Sequence, residues 1–326
     1  MKYTFLIFAT LILAGCRTVK PIPEKKEVIT QAPILNEEKT ARIGVLDLSK
    51  NEIISILASD KFEGRNPGQK GFDLASEYVE NFLKENNIRP YFTDTYKDPV
   101  MVRGKNSNNV VGLIGDKTNG KEFILLGAHL DHLGKSNSKV DSVYNGANDD
   151  ASGVTAVLEI ARSLAQKEQN KNIIVALFTG EESGLIGSRS LAKKLKAENI
   201  NLKYMLNFEM IGKTMTDKPG QVYVTGHAKS NLAEEMNKAA GSEFVIFSKV
   251  EIENNLFRRS DNYAFYEQFG IPAQTFSSFD FINYAYYHEL KDEVGELDIA
   301  NMNEIIRKSI LSIQTLLDSE AKIFMR

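Results

Sequence analysis

Asn172-Ile173-Ile174-Val175-Ala176-Leu177-Phe178-Thr179 is an apolar run with no polar alternation inside it. A strand with one wet face alternates, whereas a strand covered on both faces does not, so this run predicts a strand in the middle of a sheet packed between helices. Working outward, Val110 to Ile114 and Phe123 to Leu126 read as earlier strands, and the segments near Met205, near Val222 and over Ala273 to Phe276 as later ones. Helical spacing fills the intervals: Ala151 to Gln166, with Val154, Val157, Leu158, Ala161 and Leu164 on one side, then Gly187 to Glu198, a helix near Ala233, Tyr263 to Gln268, and Asn301 to Leu317. Upstream, Asn51 to Ser59 reads as a short helix, and Gly71 to Asn86 as a longer one with Leu74, Tyr78, Phe82 and Leu83 at helical spacing. The alternation predicts the α/β class, a three-layer α/β/α sandwich around a mixed, mainly parallel sheet. In such folds functional groups gather beyond the carboxyl ends of the strands.

The amino-terminal residues predict an address rather than a fold. Lys2 precedes an apolar run from Phe5 to Leu13, which is shorter than the roughly 20 residues a membrane span needs and fits a signal peptide over 1–15. The run closes on Leu13-Ala14-Gly15-Cys16, which resembles the bacterial lipobox, in which the cysteine is acylated. A polar stretch with Pro21, Pro23 and Pro33 follows, so 16–46 is expected to be a lipidated tether and 47–326 the catalytic domain. The expected location is the bacterial cell envelope, with the membrane as partner through the lipid; the sequence specifies no oligomeric state.

Composition narrows the chemistry. The 326 residues carry a formal net charge of −3, which gives no general attraction to nucleic acid. Cys16 is the only cysteine, so neither an internal disulfide nor a thiolate site is open to the chain, and any metal must be held by His, Asp and Glu. Such residues stand where strands end. His129 and Asp131 follow the strand ending at Leu126, Asp149 and Asp150 open the next helix, Glu181 and Glu182 follow Thr179, Glu209 follows the strand at Met205, and His288 follows the last strand. Several carboxylates brought together without cations raise one another's pKa. Divalent metal removes the conflict, and a mixture of imidazole nitrogen and carboxylate oxygen suits Zn²⁺.

The local sequences sharpen this. Gly127-Ala128-His129-Leu130-Asp131-His132-Leu133-Gly134, Asn145-Gly146-Ala147-Asn148-Asp149-Asp150-Ala151-Ser152-Gly153, Glu181-Glu182-Ser183-Gly184-Leu185-Ile186-Gly187-Ser188, Asn207-Phe208-Glu209-Met210-Ile211-Gly212 and Tyr287-His288 resemble, in order, the motifs of metallopeptidase family twenty-eight. That family of di-zinc aminopeptidases also contains glutamate carboxypeptidases and glutaminyl cyclases. The likeness runs from about Leu48 to Leu317 and includes Gly64-Arg65-Asn66-Pro67-Gly68. It implies two Zn²⁺ bridged by Asp149, with His129 and Glu209 on one ion and Glu182 and His288 on the other. It makes Glu181 the general base that takes a proton from a bridging water and delivers it to the leaving amine. Asp131 would hold the second imidazole nitrogen of His129 and fix its tautomer. Two positions depart from the pattern: Glu209 stands where the family's aminopeptidases usually carry Asp, and Asn262 in Ser260-Asp261-Asn262 stands where they carry His.

Plainer roles exist for several of these residues. Asp149 and Asp150 have the chemistry of helix caps, the role expected of Asp150. His288 could pack with Tyr284, Tyr286 and Tyr287, while His132 and His227 read as structural or surface residues. Met210, Phe276 and Phe279 are candidates for either a substrate pocket or the core. The expected function is hydrolysis of the first peptide bond of peptide substrates. A carboxypeptidase would need a basic grip such as Arg258 and Arg259; a cyclase of this family relies on Trp, which the chain lacks; a non-catalytic surface binding protein would have lost ligands or base.

Overall fold

The computed structural model describes residues 52–117 and 121–326; the signal segment, Cys16 and the tether lie outside the described residues. The chain enters through helix α1 (Glu52–Leu57), a 3-10 segment (Asp60–Arg65) and helix α2 (Lys70–Glu85). Strands β1 (Arg89–Pro90), β2 (Lys97–Val102), β3 (Lys105–Ile114) and β4 (Phe123–His129) follow, then the short pair β5 (Gly134–Lys135) and β6 (Val143–Tyr144). Helix α3 (Gly153–Leu164), β7 (Asn172–Phe178), α4 (Ile186–Ala197), β8 (Leu202–Phe208) and β9 (Val222–Val224) come next. The chain closes with α5 (Leu232–Ala240), β10 (Val245–Ile246), α6 (Lys249–Glu253), α7 (Asn262–Phe269), β11 (Ala273–Ser277) and α8 (Ile299–Leu317).

The main sheet runs β1-β3-β7-β4-β8-β11-β9-β10, with β2 also paired to β3. Its centre, β7-β4-β8-β11, is parallel, while β3 joins β7 and β9 joins β11 antiparallel. The sheet is therefore mixed and parallel where it matters. In β7, Ile173, Val175 and Leu177 face one core, and Ile174, Ala176 and Phe178 face the other. The first core is closed by α1, α2, α3, α5 and α8, the second by α4 and α7, which gives the three-layer sandwich. The crossover α3 covers one face and α4 the other, so the chain changes sides about β4, the position at which open α/β sheets form a crevice.

Three local readings need correction. β4 runs on to His129 instead of stopping at Leu126, because His129 still pairs with Phe178 across the sheet. The buried stripe of α2 is Phe72, Ala75, Ser76, Val79 and Leu83, while Leu74, Tyr78 and Phe82 are only partly covered. Helix α3 begins at Gly153, two residues late, since Asp149 (φ −110, ψ 92) and Asp150 (φ −130, ψ 38) leave helical geometry. Nearly every residue of α3 is buried, so its apolar side is not a stripe but most of the cylinder. Among the described residues no helix is long and apolar enough to cross a membrane.

Candidate metal centre

Four parallel strands deliver the site at one edge. β4 ends in His129, β7 precedes Glu181 and Glu182, β8 precedes Glu209, and the loop after β11 carries His288. Asp149 lies between them on the irregular turn before α3, 3% exposed. Its two oxygens face two different imidazoles: Oδ1 is 3.2 Å from Nε2 of His129, and Oδ2 is 3.1 Å from Nε2 of His288. Glu182 Oε2 lies 3.2 Å from the same nitrogen of His288. Neither Nε2 has a hydrogen bond of acceptable geometry, and Oε2 of Glu209 is buried and unbonded among the described residues. Buried ligand-type atoms that lie within 3.2 Å of one another without an accepted hydrogen bond are candidates for donors to a cation.

The electrostatics also call for positive charge. Burial pushes the Glu181 carboxyl well above the usual carboxylate range, and Glu209, Asp261 and Glu182 add to the effect against the pull of His129. Burial likewise raises Glu209 and Asp150, and lifts Asp131 to about 6 and Asp261 to about 7. Burial opposes ionisation of Asp149 as well, but His132, His129 and His288 together hold it well below the usual range. Burial disfavours a charged His288, yet Asp149 and Glu182 raise it to about 10. The imidazoles are thus driven to supply the cation that the carboxylates require. Two nitrogen and several oxygen donors, with orphaned atoms among them, fit zinc.

The surroundings fix this arrangement. His129 Nδ1 meets the backbone carbonyl of Asp131 at 3.0 Å, which leaves Nε2 free to ligate. The expected role of the Asp131 carboxylate is thereby corrected: the chain turns after β4 so that the carbonyl, not the side chain, reaches the ring. The carboxylate instead accepts the backbone N–H of Glu181 at 3.2 Å. Asp150 Oδ1 accepts from Gly153, the capping bond expected of it, and also from Met210, both at 3.0 Å. Asn148 Oδ1 accepts the N–H of Gly212 at 2.8 Å.

Three supports were not assigned from sequence. Asp292 accepts the N–H groups of Asn148 at 2.7 Å and Asp149 at 3.0 Å. Arg65, 1% exposed, donates to the carbonyls of Leu57, Leu130, Asn145 and Gly146 at 2.6–2.9 Å. His132 is fully buried inside the cluster, not a surface residue. Asp292 offered one clue, its place four residues after His288; for Arg65 the glycine-flanked segment was visible but not its role. Asn262 braces the sheet: it donates to Phe257 and Ala273 carbonyls at 3.2 and 3.1 Å and accepts from Thr275 at 2.8 Å. The substituted position is therefore structural in this chain.

Asp149, Glu182, Glu209 and His288 line the base of an open cleft walled by Met210, Tyr223, Leu256, Phe279 and Phe281. Phe276 belongs to the core, stacked on Phe208. Arg259 reaches the cleft, whereas the Arg258 guanidinium lies 5.6 Å from the Tyr263 ring centre.

Known proteins resemble the chain in sequence and in fold. The family model described as Peptidase family M28 matches residues 109–311. A probable zinc metalloprotease of Pyrenophora tritici-repentis is 32% identical over 112 residues, 34% of this chain and 26% of that protein. The chain thus spans about a quarter of that relative's length. A probable leucine aminopeptidase of Arthroderma otae is 25% identical over 276 residues, covering 80% of this chain and 70% of that protein. The solved structure of the Legionella pneumophila LapA aminopeptidase superposes with a TM-score of 0.69 at 19% identity, covering 89% of this chain and 78% of that one, a likeness of fold.

Proposed function

The chain belongs to peptidase family M28, and from that premise we propose that it is a di-zinc aminopeptidase that removes the first residue of peptides. The observation that carries the reading is Asp149, whose two oxygens lie 3.2 and 3.1 Å from two different imidazoles, those of His129 and His288. On this reading His129, Asp149 and Glu209 hold one ion, and Asp149, Glu182 and His288 the other. Bound zinc would polarise the scissile carbonyl and make a water acidic enough to attack it. Glu181, at the base of the cleft beside these ligands, takes the proton from that water and passes it to the departing amine. A carboxyl with raised proton affinity suits both steps. Asp131 keeps Glu181 in place through its backbone N–H.

The cleft favours an amino end. On the di-zinc reading the unprotonated amine of the substrate would sit beside an ion held by the carboxylates of the cleft, and the apolar wall from Met210 to Phe281 would accept the adjoining side chain. Arg259 supports a second reading, a carboxypeptidase that grips a terminal carboxylate. The absence of Trp from the sequence weighs against a cyclase, and the retention of every ligand-type group and of Glu181 against a receptor without activity. The test is a panel of aminoacyl anilides, each free and amino-blocked, with zinc and with chelator. Release from free substrates only, lost with chelator, is the expected result; release from blocked substrates, or none with zinc bound, overturns the reading.

We propose in addition that Cys16 is acylated and anchors the chain in the bacterial cell envelope, on the strength of Leu13-Ala14-Gly15-Cys16 after an apolar run. Fatty-acid labelling that persists in Cys16→Ser would refute it.

A further inference from the structure

His132 is fully buried, and its ring is clamped. A Cβ added to Gly146 would lie 2.5 Å from Cδ2 and 2.7 Å from Cγ of His132, so the neighbouring loop admits only glycine there. The ring meets His288 edge to face, with centres 5.8 Å apart. Its backbone N–H donates to the Arg65 carbonyl at 3.3 Å. Nδ1 lies 3.0 Å from Oε1 of Glu182 and 3.8 Å from Oδ2 of Asp149. The two oxygens of Glu182 are therefore divided: Oε1 toward His132, Oε2 toward His288 at 3.2 Å. A glutamate side chain has three rotatable bonds, and its carboxylate can bind a cation through either oxygen or both unless one is held elsewhere.

We propose that His132 is a positioning residue for the metal centre: its Nδ1–H donates to Oε1 of Glu182 and thereby reserves Oε2, the oxygen turned to His288, for the cation. The proposal rests on the di-zinc reading above. It assigns the Nδ1–H tautomer from the bond to Glu182, the closest acceptor to that nitrogen. Partners that hold a metal-binding side chain typically change metal affinity about 10- to 100-fold when removed.

The test compares the full chain with His132→Ala and His132→Asn, measuring zinc bound per chain and zinc affinity by competition with a chromophoric chelator, and thermal unfolding without metal. The Asn carboxamide nitrogen stands as far from Cβ as Nδ1 does, so it restores the donor without an imidazole ligand. The expected result is a 10- to 100-fold loss of affinity for one zinc in His132→Ala, most of it regained in His132→Asn, with the metal-free unfolding temperatures of the two variants alike. Unchanged affinity in His132→Ala overturns the proposal. So does a loss that His132→Asn does not repair, which would make His132 a direct ligand or a packing element. Wild-type chain that binds fewer than two zinc ions would instead refute the di-zinc reading itself.

Discussion

Asp292 Oδ2 accepts the backbone N–H of Asp149 at 3.0 Å. The other oxygen takes the N–H of Asn148 at 2.7 Å and the hydroxyl of Tyr284 at 2.6 Å. The loop that carries His288 is thus fastened to the turn that carries Asp149. In Asp292→Ala two buried backbone donors lose their acceptor, at a cost of roughly 1–3 kcal/mol each. Chemical denaturation should show a total loss of about 2–6 kcal/mol, together with weaker zinc binding. Stability and zinc binding equal to wild type would show that water replaces the carboxylate and that the fastening is immaterial.

Glu181→Gln keeps size and hydrogen bonding but cannot take up a proton. Turnover of a free aminoacyl anilide should fall by about 10²–10⁴, with zinc content unchanged. If zinc is lost along with activity, Glu181 is holding metal and not moving protons.

Removing metal should destabilise the fold as well as stop turnover. Asp149, Glu181, Glu182 and Glu209 line one cleft, and an ion that binds only the folded chain adds stability of about 2.7 kcal/mol per site at a hundred times its dissociation constant. The unfolding temperature should drop with chelator and return with zinc. An unfolding temperature indifferent to both would mean that the cluster does not bind the ion.

Arg259 gives a way to separate the two exopeptidase readings. Under the aminopeptidase reading, Arg259→Ala should raise KM for dipeptides, whose carboxylate falls within the cleft, by about tenfold, roughly 1.4 kcal/mol, and leave anilide kinetics unaltered. Loss of all activity on amino-blocked substrates in this variant, after activity on them in wild type, would favour the carboxypeptidase.

The sandwich was legible because its central strands are covered on both faces. Ile173 to Phe178 contribute alternately to two cores, and an unbroken apolar run is the only pattern that satisfies both. β2 gave no comparable signal: Pro99 interrupts it, and as an edge strand paired on one side it tolerates the missing donor. The strand-end carboxylates and histidines were legible from residue type and order, and the structure brings His129, Asp149, Glu182 and His288 together. The contact that holds His129 was not. It is made by the Asp131 carbonyl, and a main-chain oxygen leaves no trace in residue identity. Arg65 and Asp292 act on backbone groups 65–81 and 143–144 residues away in sequence, distances over which no periodicity or motif speaks.

The stretch matched by the family model starts at residue 109, yet the Arg65 guanidinium closes off the carbonyls of Leu130, Asn145 and Gly146 inside that stretch. A chain trimmed to 109–311 would retain every candidate ligand and leave those three oxygens bare. The border of the family model is narrower than the border of what the hydrogen bonds hold together. A minimal catalytic version of this protein has to begin before Leu57, whose own carbonyl accepts from the same guanidinium, or carry a substitute for it.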